Sequence, residues 1–210
     1  RGHTITGLCY TATDNIMSAT VMESAYSWYY DNYVSSDNIG LFGVVDEGTV
    51  REVKLSDTYF HGTKNVGGIA GMTKHAVIDG CEVNGYIRGQ RYNVARTHSR
   101  YVGGLVGYCQ KGSSISQCKT DCDVDGWWDI GGLVGYLDAS NIVSCMQSGN
   151  VDTTYPDWHD YFPEDNLFGI LVGTAAEILG RKDYHIINTF TTQFTNSRTF
   201  LIGEGEDYPK

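Results

Sequence analysis

The stretch Val102-Gly103-Gly104-Leu105-Val106-Gly107-Tyr108 decides how this chain is read, because near copies of it return at intervals. Upstream stand Ile39-Gly40-Leu41-Phe42-Gly43 and Val66-Gly67-Gly68-Ile69-Ala70-Gly71. Downstream stands Ile130-Gly131-Gly132-Leu133-Val134-Gly135. Phe168-Gly169-Ile170-Leu171-Val172-Gly173 is a weaker fifth copy, and Leu201-Ile202-Gly203 opens a sixth. The closing glycines of the five copies lie 28, 36, 28 and 38 residues apart. That is a base period near 28 with two insertions, and self-similarity at such a period marks a repeat architecture.

Two further phrases follow each of the first four copies. Val50-x-x-Val53, Ile78-x-x-Cys81, Ile115-x-x-Cys118 and Ile142-x-x-Cys145 form one set. Tyr59, Ile87, Val124 and Val151 form the next, each six residues past the preceding anchor. Three aligned apolar columns in four successive copies predict short strands with period-2 alternation, bounded by Gly, Asn, Asp and Ser. One such unit cannot bury its apolar face alone, whereas stacked units can, with equivalent residues about 4.8 Å apart. The glycines are expected at tight corners needing positive φ or at close backbone approaches. The expected fold is all-β, a parallel β-helix of about five degenerate repeats forming one domain. Residues 1–38 are an N-terminal coil or cap. Repeats span 39–65, 66–101, 102–129, 130–166 and 167–203, and 204–210 is a tail.

Composition narrows the function classes. The 210 residues include 26 glycines and 15 tyrosines but only 3 prolines, and 41% are hydrophobic, which suits turn-rich β structure rather than disorder. A formal charge of −10 argues against nucleic acid and anionic membrane surfaces as partners. The most apolar stretch, Phe168 to Leu179, is too short to cross a bilayer and contains Glu177. The opening residues already read as a strand, so the chain is expected to be a piece of a longer polypeptide.

The phrase Gly-Gly-Leu-Val-Gly-Tyr, followed by Ile-Ser-x-Cys and Gly-Asn-Val, resembles the GLUG repeat of secreted and surface bacterial proteins. The resemblance covers residues 39–151 well and the two ends weakly. It implies right-handed coiling, a secreted or cell-surface location, and a role in adhesion-like proteins or as an accessory segment of large secreted proteins. It specifies no activity.

Six cysteines are present. Cys81, Cys118 and Cys145 share one column and read as a ladder of small buried side chains. Cys118-x3-Cys122 lacks the second short Cys/His pair that zinc sites usually show. Cys122 replaces the glycine found at 85 and 149, which points it outward or into a corner. A Cys109–Cys122 disulfide is open to an oxidising compartment, and sequence leaves the states of Cys9, Cys109 and Cys122 undetermined.

Insertions in a repeat array emerge at one corner, often on the binding face. The first here, Arg88 to Arg100, carries four arginines; the second, Asp152 to Asp165, is acidic and aromatic. Between them lie Trp127 and Trp128. The ligand-binding candidates are therefore Trp127, Trp128, Trp158, Tyr155, Tyr161, Arg91, Arg96, His98 and His159, a set suited to stacking on a sugar or peptide. The competing expectation is that the two loops close on each other by Arg-carboxylate and Arg-aromatic contacts. Asp121, Asp123 and Asp125 alternate outward, with Asp125 in line with Arg88 and Asp152. Asp123, Asp125 and Asp152 are the weak candidates for a calcium site, against a solvated ladder with an Arg–Asp contact. The aromatic run Ser27 to Tyr33 is expected to cover the open end of the fold. No hydrolase, zincin or phosphate-loop motif occurs.

The expected function is a non-catalytic module of a secreted or surface protein that binds a host or matrix glycan or protein, without cofactor. The alternatives are a part of a secreted carbohydrate-active enzyme or peptidase, and a structural spacer.

Overall fold

The computed structural model describes residues 4–11, 37–89, 99–153, 168–175, 184–192 and 200–202. All regular structure among them is β. The opening residues give β1 (Thr4–Thr6) and β2 (Cys9–Thr11). Next come β3 (Asp37–Ile39), β4 (Phe42–Asp46), β5 (Thr49–Arg51) and β6 (Lys54–Gly62). The pattern repeats as β7 (Lys64–Gly67), β8 (Ala70–Lys74), β9 (Val77–Asp79) and β10 (Glu82–Gly89). It returns as β11 (Arg100–Gly103), β12 (Val106–Cys109), β13 (Ser114–Ser116) and β14 (Lys119–Gly126). The fourth pass is β15 (Trp128–Gly131), β16 (Val134–Leu137), β17 (Asn141–Val143), β18 (Met146–Ser148) and β19 (Val151–Thr153). The last strands are β20 (Phe168–Ala175), β21 (His185–Ile187), β22 (Phe190–Thr191) and β23 (Phe200–Ile202).

These strands make three sheets. The eight-stranded sheet runs β1-β6-β10-β14-β18-β22, with β2 on β6 and β19 on β14. The ten-stranded sheet runs β3-β7-β11-β15-β20-β16-β12-β8-β4, with β23 on β20, and the five-stranded sheet runs β21-β17-β13-β9-β5. Each pairing among the described residues is parallel and joins equivalent strands of successive passes. Parallel neighbours need a long crossover; here the crossover is a complete pass through the other two sheets. In the ten-stranded sheet β20 pairs with β15 through its first half and with β16 through its second, which joins the two rows.

The core follows the columns read from the repeat. Ile39, Val66, Val102 and Ile130 are in register, as are Val50, Ile78, Ile115 and Ile142. Ile69, Leu105 and Leu133 are fully buried beside them. The third column corrects the sequence alignment. Ile87 pairs with Phe60, not Tyr59, because the register between β6 and β10 shifts between Val83 and Gly85. The extra residue in β6 is accommodated where Asp57 takes φ 51°, as a β-bulge does. Phe60 is thus buried, while Tyr59 turns outward and stacks on Tyr86 at 5.7 Å.

The two proposed uses of glycine separate cleanly. None of the phrase glycines among the described residues has positive φ. They sit where backbones meet: a Cβ on Gly103 would lie 2.2 Å from the Val106 carbonyl oxygen and 2.7 Å from the Gly135 nitrogen. Left-handed corners fall mostly to other residues. Glu52, Gly80, Gln117, Ser144 and Asn188 occupy equivalent positions between the five- and eight-stranded sheets, with φ between 49° and 62°.

The residue after each of these is Val53, Cys81, Cys118, Cys145 or Thr189, and here the cysteine column acquires a reason. The backbone N–H of Cys81 donates to Cys118 Sγ, that of Cys118 to Cys145 Sγ (both 3.4 Å), and that of Cys145 to Thr189 Oγ1 (3.3 Å). Each Sγ–H or O–H donates in turn to the carbonyl two residues earlier. A corner N–H that leaves the ladder is therefore satisfied by the next pass. Cys122 also departs from expectation: it faces inward, 1% exposed, with its thiol 3.4 Å from the Val83 carbonyl oxygen. All six cysteines are free thiols, so Cys109 and Cys122 are not joined, and only Cys9 is exposed.

Candidate functional site

Four of the five longer connections start at one corner, where the chain leaves the eight-stranded sheet for the ten-stranded one; the fifth, Ala175 to His185, joins the ten-stranded to the five-stranded sheet. Thr11 leads to Asp37, Gly89 to Arg100, Thr153 to Phe168 and Thr191 to Phe200, while Gly62 to Lys64 and Gly126 to Trp128 are tight. Just past this corner Asp37, Lys64, Arg100 and Trp128 fall in one column. The next column is Asn38, Asn65, Tyr101 and Asp129, all left-handed, with φ between 54° and 61°. That conformation bends the strand at its start.

Glycine then brings distant aromatics together. A Cβ on Gly135 would lie 2.4 Å from the Val102 nitrogen and 2.5 Å from the Tyr101 carbonyl carbon, so the two rows of the ten-stranded sheet touch backbone to backbone there. Tyr101, Tyr108 and Tyr136 close over this contact with ring centroids 4.9–5.3 Å apart. Cations border the cluster. Lys64 Nζ lies 5.6 Å from the Tyr101 ring centre, and the Arg100 guanidinium lies 5.2 Å from Tyr101 and 5.4 Å from Trp128. Such placements over aromatic faces are attractive by about 0.5–2 kcal/mol. Arg100 Nε also pairs at 3.4 Å with Asp129, which is 1% exposed and accepts a 2.6 Å bond from Thr174 Oγ1. Lys64 is exposed and has no ion pair among the described residues; Asp37, one pass away, does not close on it.

The outer face of the eight-stranded sheet is a set of matched polar rows. Lys54 Nζ donates to Glu82 at 2.7 Å, and Asp121 accepts from Asn84 Nδ2 and Ser148 Oγ at 3.3 and 3.0 Å. Asp123 accepts from Asn150 Nδ2 at 3.0 Å. Asp125 is paired with Arg88 and Asp152, as aligned, but it is not solvated. It is 4% exposed, takes a 2.6 Å bond from the Tyr86 hydroxyl and faces Arg88 Nε at 3.3 Å. Burial opposes the Arg88 charge, yet Asp125, Tyr59 and Tyr86 outweigh it and hold its pKa above the ordinary value. The group of potential ligand atoms that lies within 4.8 Å among the described residues is elsewhere, at exposed Asp46, Glu47 and His75.

No protein-family model matches the chain, and no curated protein or solved structure is significantly similar to it.

The sequence candidates divide into three groups. Trp128 joins the cation–aromatic strip. Trp127, the single residue between β14 and β15, is 8% exposed. Arg91, Arg96, His98, Tyr155, Trp158, His159 and Tyr161, and the run Ser27 to Tyr33, lie outside the described residues. The sequence reading missed Tyr101, Tyr108, Tyr136 and Asp129. A signal for Asp129 existed: Asn38, Asn65 and Asp129 precede the repeat phrase, and Asn and Asp are the side chains that best tolerate left-handed backbone.

Proposed function

We propose that this chain is a non-catalytic binding module, built as a right-handed parallel β-helix and related to the GLUG-repeat segments of secreted or surface-attached bacterial proteins. Three parallel sheets visited in fixed order, with equivalent residues in register from pass to pass, support the winding. The observation that carries the binding role is the strip of Lys64, Arg100, Trp128, Tyr101, Tyr108 and Tyr136 on a chain of charge −10. Aromatic faces bordered by cations suit a sugar chain, and the strip adjoins the corner from which four of the five longer connections leave. A non-catalytic reading is favoured by Asp125, whose carboxylate is closed in by Arg88 and Tyr86 rather than presented to a substrate.

The test is a glycan array probed with the purified chain beside Trp128→Ala and Tyr136→Ala. Reproducible binding that either variant reduces at least about tenfold supports the module. Binding by neither wild type nor variants, with the wild type folded, rejects it.

A further inference from the structure

We infer that the strip takes an acidic glycan, a sugar chain bearing carboxylate or sulfate groups, with Lys64 and Arg100 as the anion-reading residues; this rests on the binding reading above. Three observations point to the charge of the ligand. First, Lys64 is exposed, sits beside the Tyr101 ring and has no carboxylate of its own among the described residues. Arg51, Lys54, Lys74 and Arg88 are each paired with an acid. Lys111 and Lys119, like Lys64, are exposed without an ion pair among the described residues, but of these three only Lys64 lies over an aromatic ring. Second, Arg100 is oriented before any ligand arrives, by Asp129 on one side and by Tyr101 and Trp128 on the others, and its side chain is still 44% exposed. A guanidinium held this way loses little freedom on binding an oxyanion. Third, Lys64, Arg100 and Trp128 stand on successive passes, about 4.8 Å apart. That spacing is close to the size of one sugar ring, so neighbouring sugars of one chain meet neighbouring side chains.

The overall charge of −10 does not decide the matter. At physiological salt, charges beyond about 8 Å are largely screened, so the local set decides: Lys64 and Arg100, with Asp129 buried against Arg100 and Asp37 one pass from Lys64.

The experiment titrates the chain with an oligogalacturonate of defined length, with the same oligosaccharide after reduction of its carboxyls, and with a sulfated oligosaccharide. Each is compared for wild type, Lys64→Gln, Arg100→Lys and, as a control away from the strip, Lys119→Gln. The expected result is preference for one of the anionic chains, about a tenfold loss in Lys64→Gln, and no change in Lys119→Gln. Arg100→Lys keeps the charge and loses the fork, and is expected to weaken binding by less than Lys64→Gln does. Equal affinity for the reduced chain, with Lys64→Gln unaffected, overturns this inference and leaves the binding reading standing. Binding of none of the three, with neutral glycans also silent on the array, overturns both.

Discussion

Cys118 is the residue at which composition and role part most clearly. A small hydrophobe would fill the same space, but its sulfur also accepts the N–H of Cys81, and its own thiol hydrogen goes to the Ser116 carbonyl at 3.1 Å. Removing the acceptor leaves a buried donor without a partner. Cys118→Val is therefore expected to cost about 1–3 kcal/mol in urea unfolding, and Cys118→Thr less, since Thr189 already performs this role one position along the column. An equal cost for the two variants would show that volume alone matters. Glycine supports a parallel contrast. Gly103→Ala puts a methyl against backbone at 2.2 Å, whereas at Gly48 the nearest atom is a Val45 methyl at 3.0 Å. The first change should cost about 1–3 kcal/mol or more, and the second a fraction of that. Burial pushes the Cys122 thiol up to about 12 from an ordinary 9.0, with Asp121 and Asp123 adding to it. A raised folded-state pKa means stability that is present below pH 9.0 and lost as pH rises toward 12. Cys122→Ala should flatten that alkaline decline, measured by urea midpoints from neutral pH upward. At neutral pH an alkylating reagent should modify only Cys9 in the folded chain, and all six cysteines once it is unfolded.

Among the elements, β6 shows where the sequence was legible and where it was not. Two of the three columns stand as the repeat placed them, because Val or Ile recurs at each in every copy, and the turns between the strands absorb the one-residue differences in spacing. The third went to Tyr59 because a bulge adds one residue that no spacing rule reveals, and Tyr59-Phe60 offers an aromatic at both candidate positions. Register then decides which of the two is core. Phe60→Ala should destabilise by about 3–5 kcal/mol, and Tyr59→Ala, which loses an outward ring pair and a contact with Arg88, by about 1–2 kcal/mol; the reverse order would restore the unbulged alignment. Corners were legible only in part for a similar reason. Gly80 and Asn188 advertise a left-handed turn, but Glu52, Gln117 and Ser144 do so only through their partners in the column. Of the cation–aromatic strip only Trp128 was legible, because alternation identifies what points inward, while Lys64, Arg100 and the three tyrosines lie on the outer side of the strands.

Across the whole molecule, charge is distributed with two different outcomes. On the eight-stranded sheet, acids are matched to bases or amides row by row, and such exposed pairs contribute about 0–1 kcal/mol each. Raising salt should therefore change the unfolding midpoint little while weakening an acidic ligand on Lys64 and Arg100 strongly; comparable sensitivity of both would argue against a localised anion site.

The connections from the eight-stranded to the ten-stranded sheet alternate through the first four passes: long after Thr11, one residue after Gly62, long after Gly89, one residue after Gly126 and long after Thr153; the next, after Thr191, is long again. A chain segment that leaves a sheet and returns to the next pass needs more width than the 4.8 Å between neighbouring strands. The first three long excursions are each separated by a short connection, which gives each room, so up to Thr153 the repeating unit is a pair of passes. The natural unit of duplication in such a gene is then a pair of passes rather than one. Lineages that lengthen or shorten the array should do so in steps of about 64 residues more readily than in single repeats, since Gly43 to Gly107 already spans one such pair.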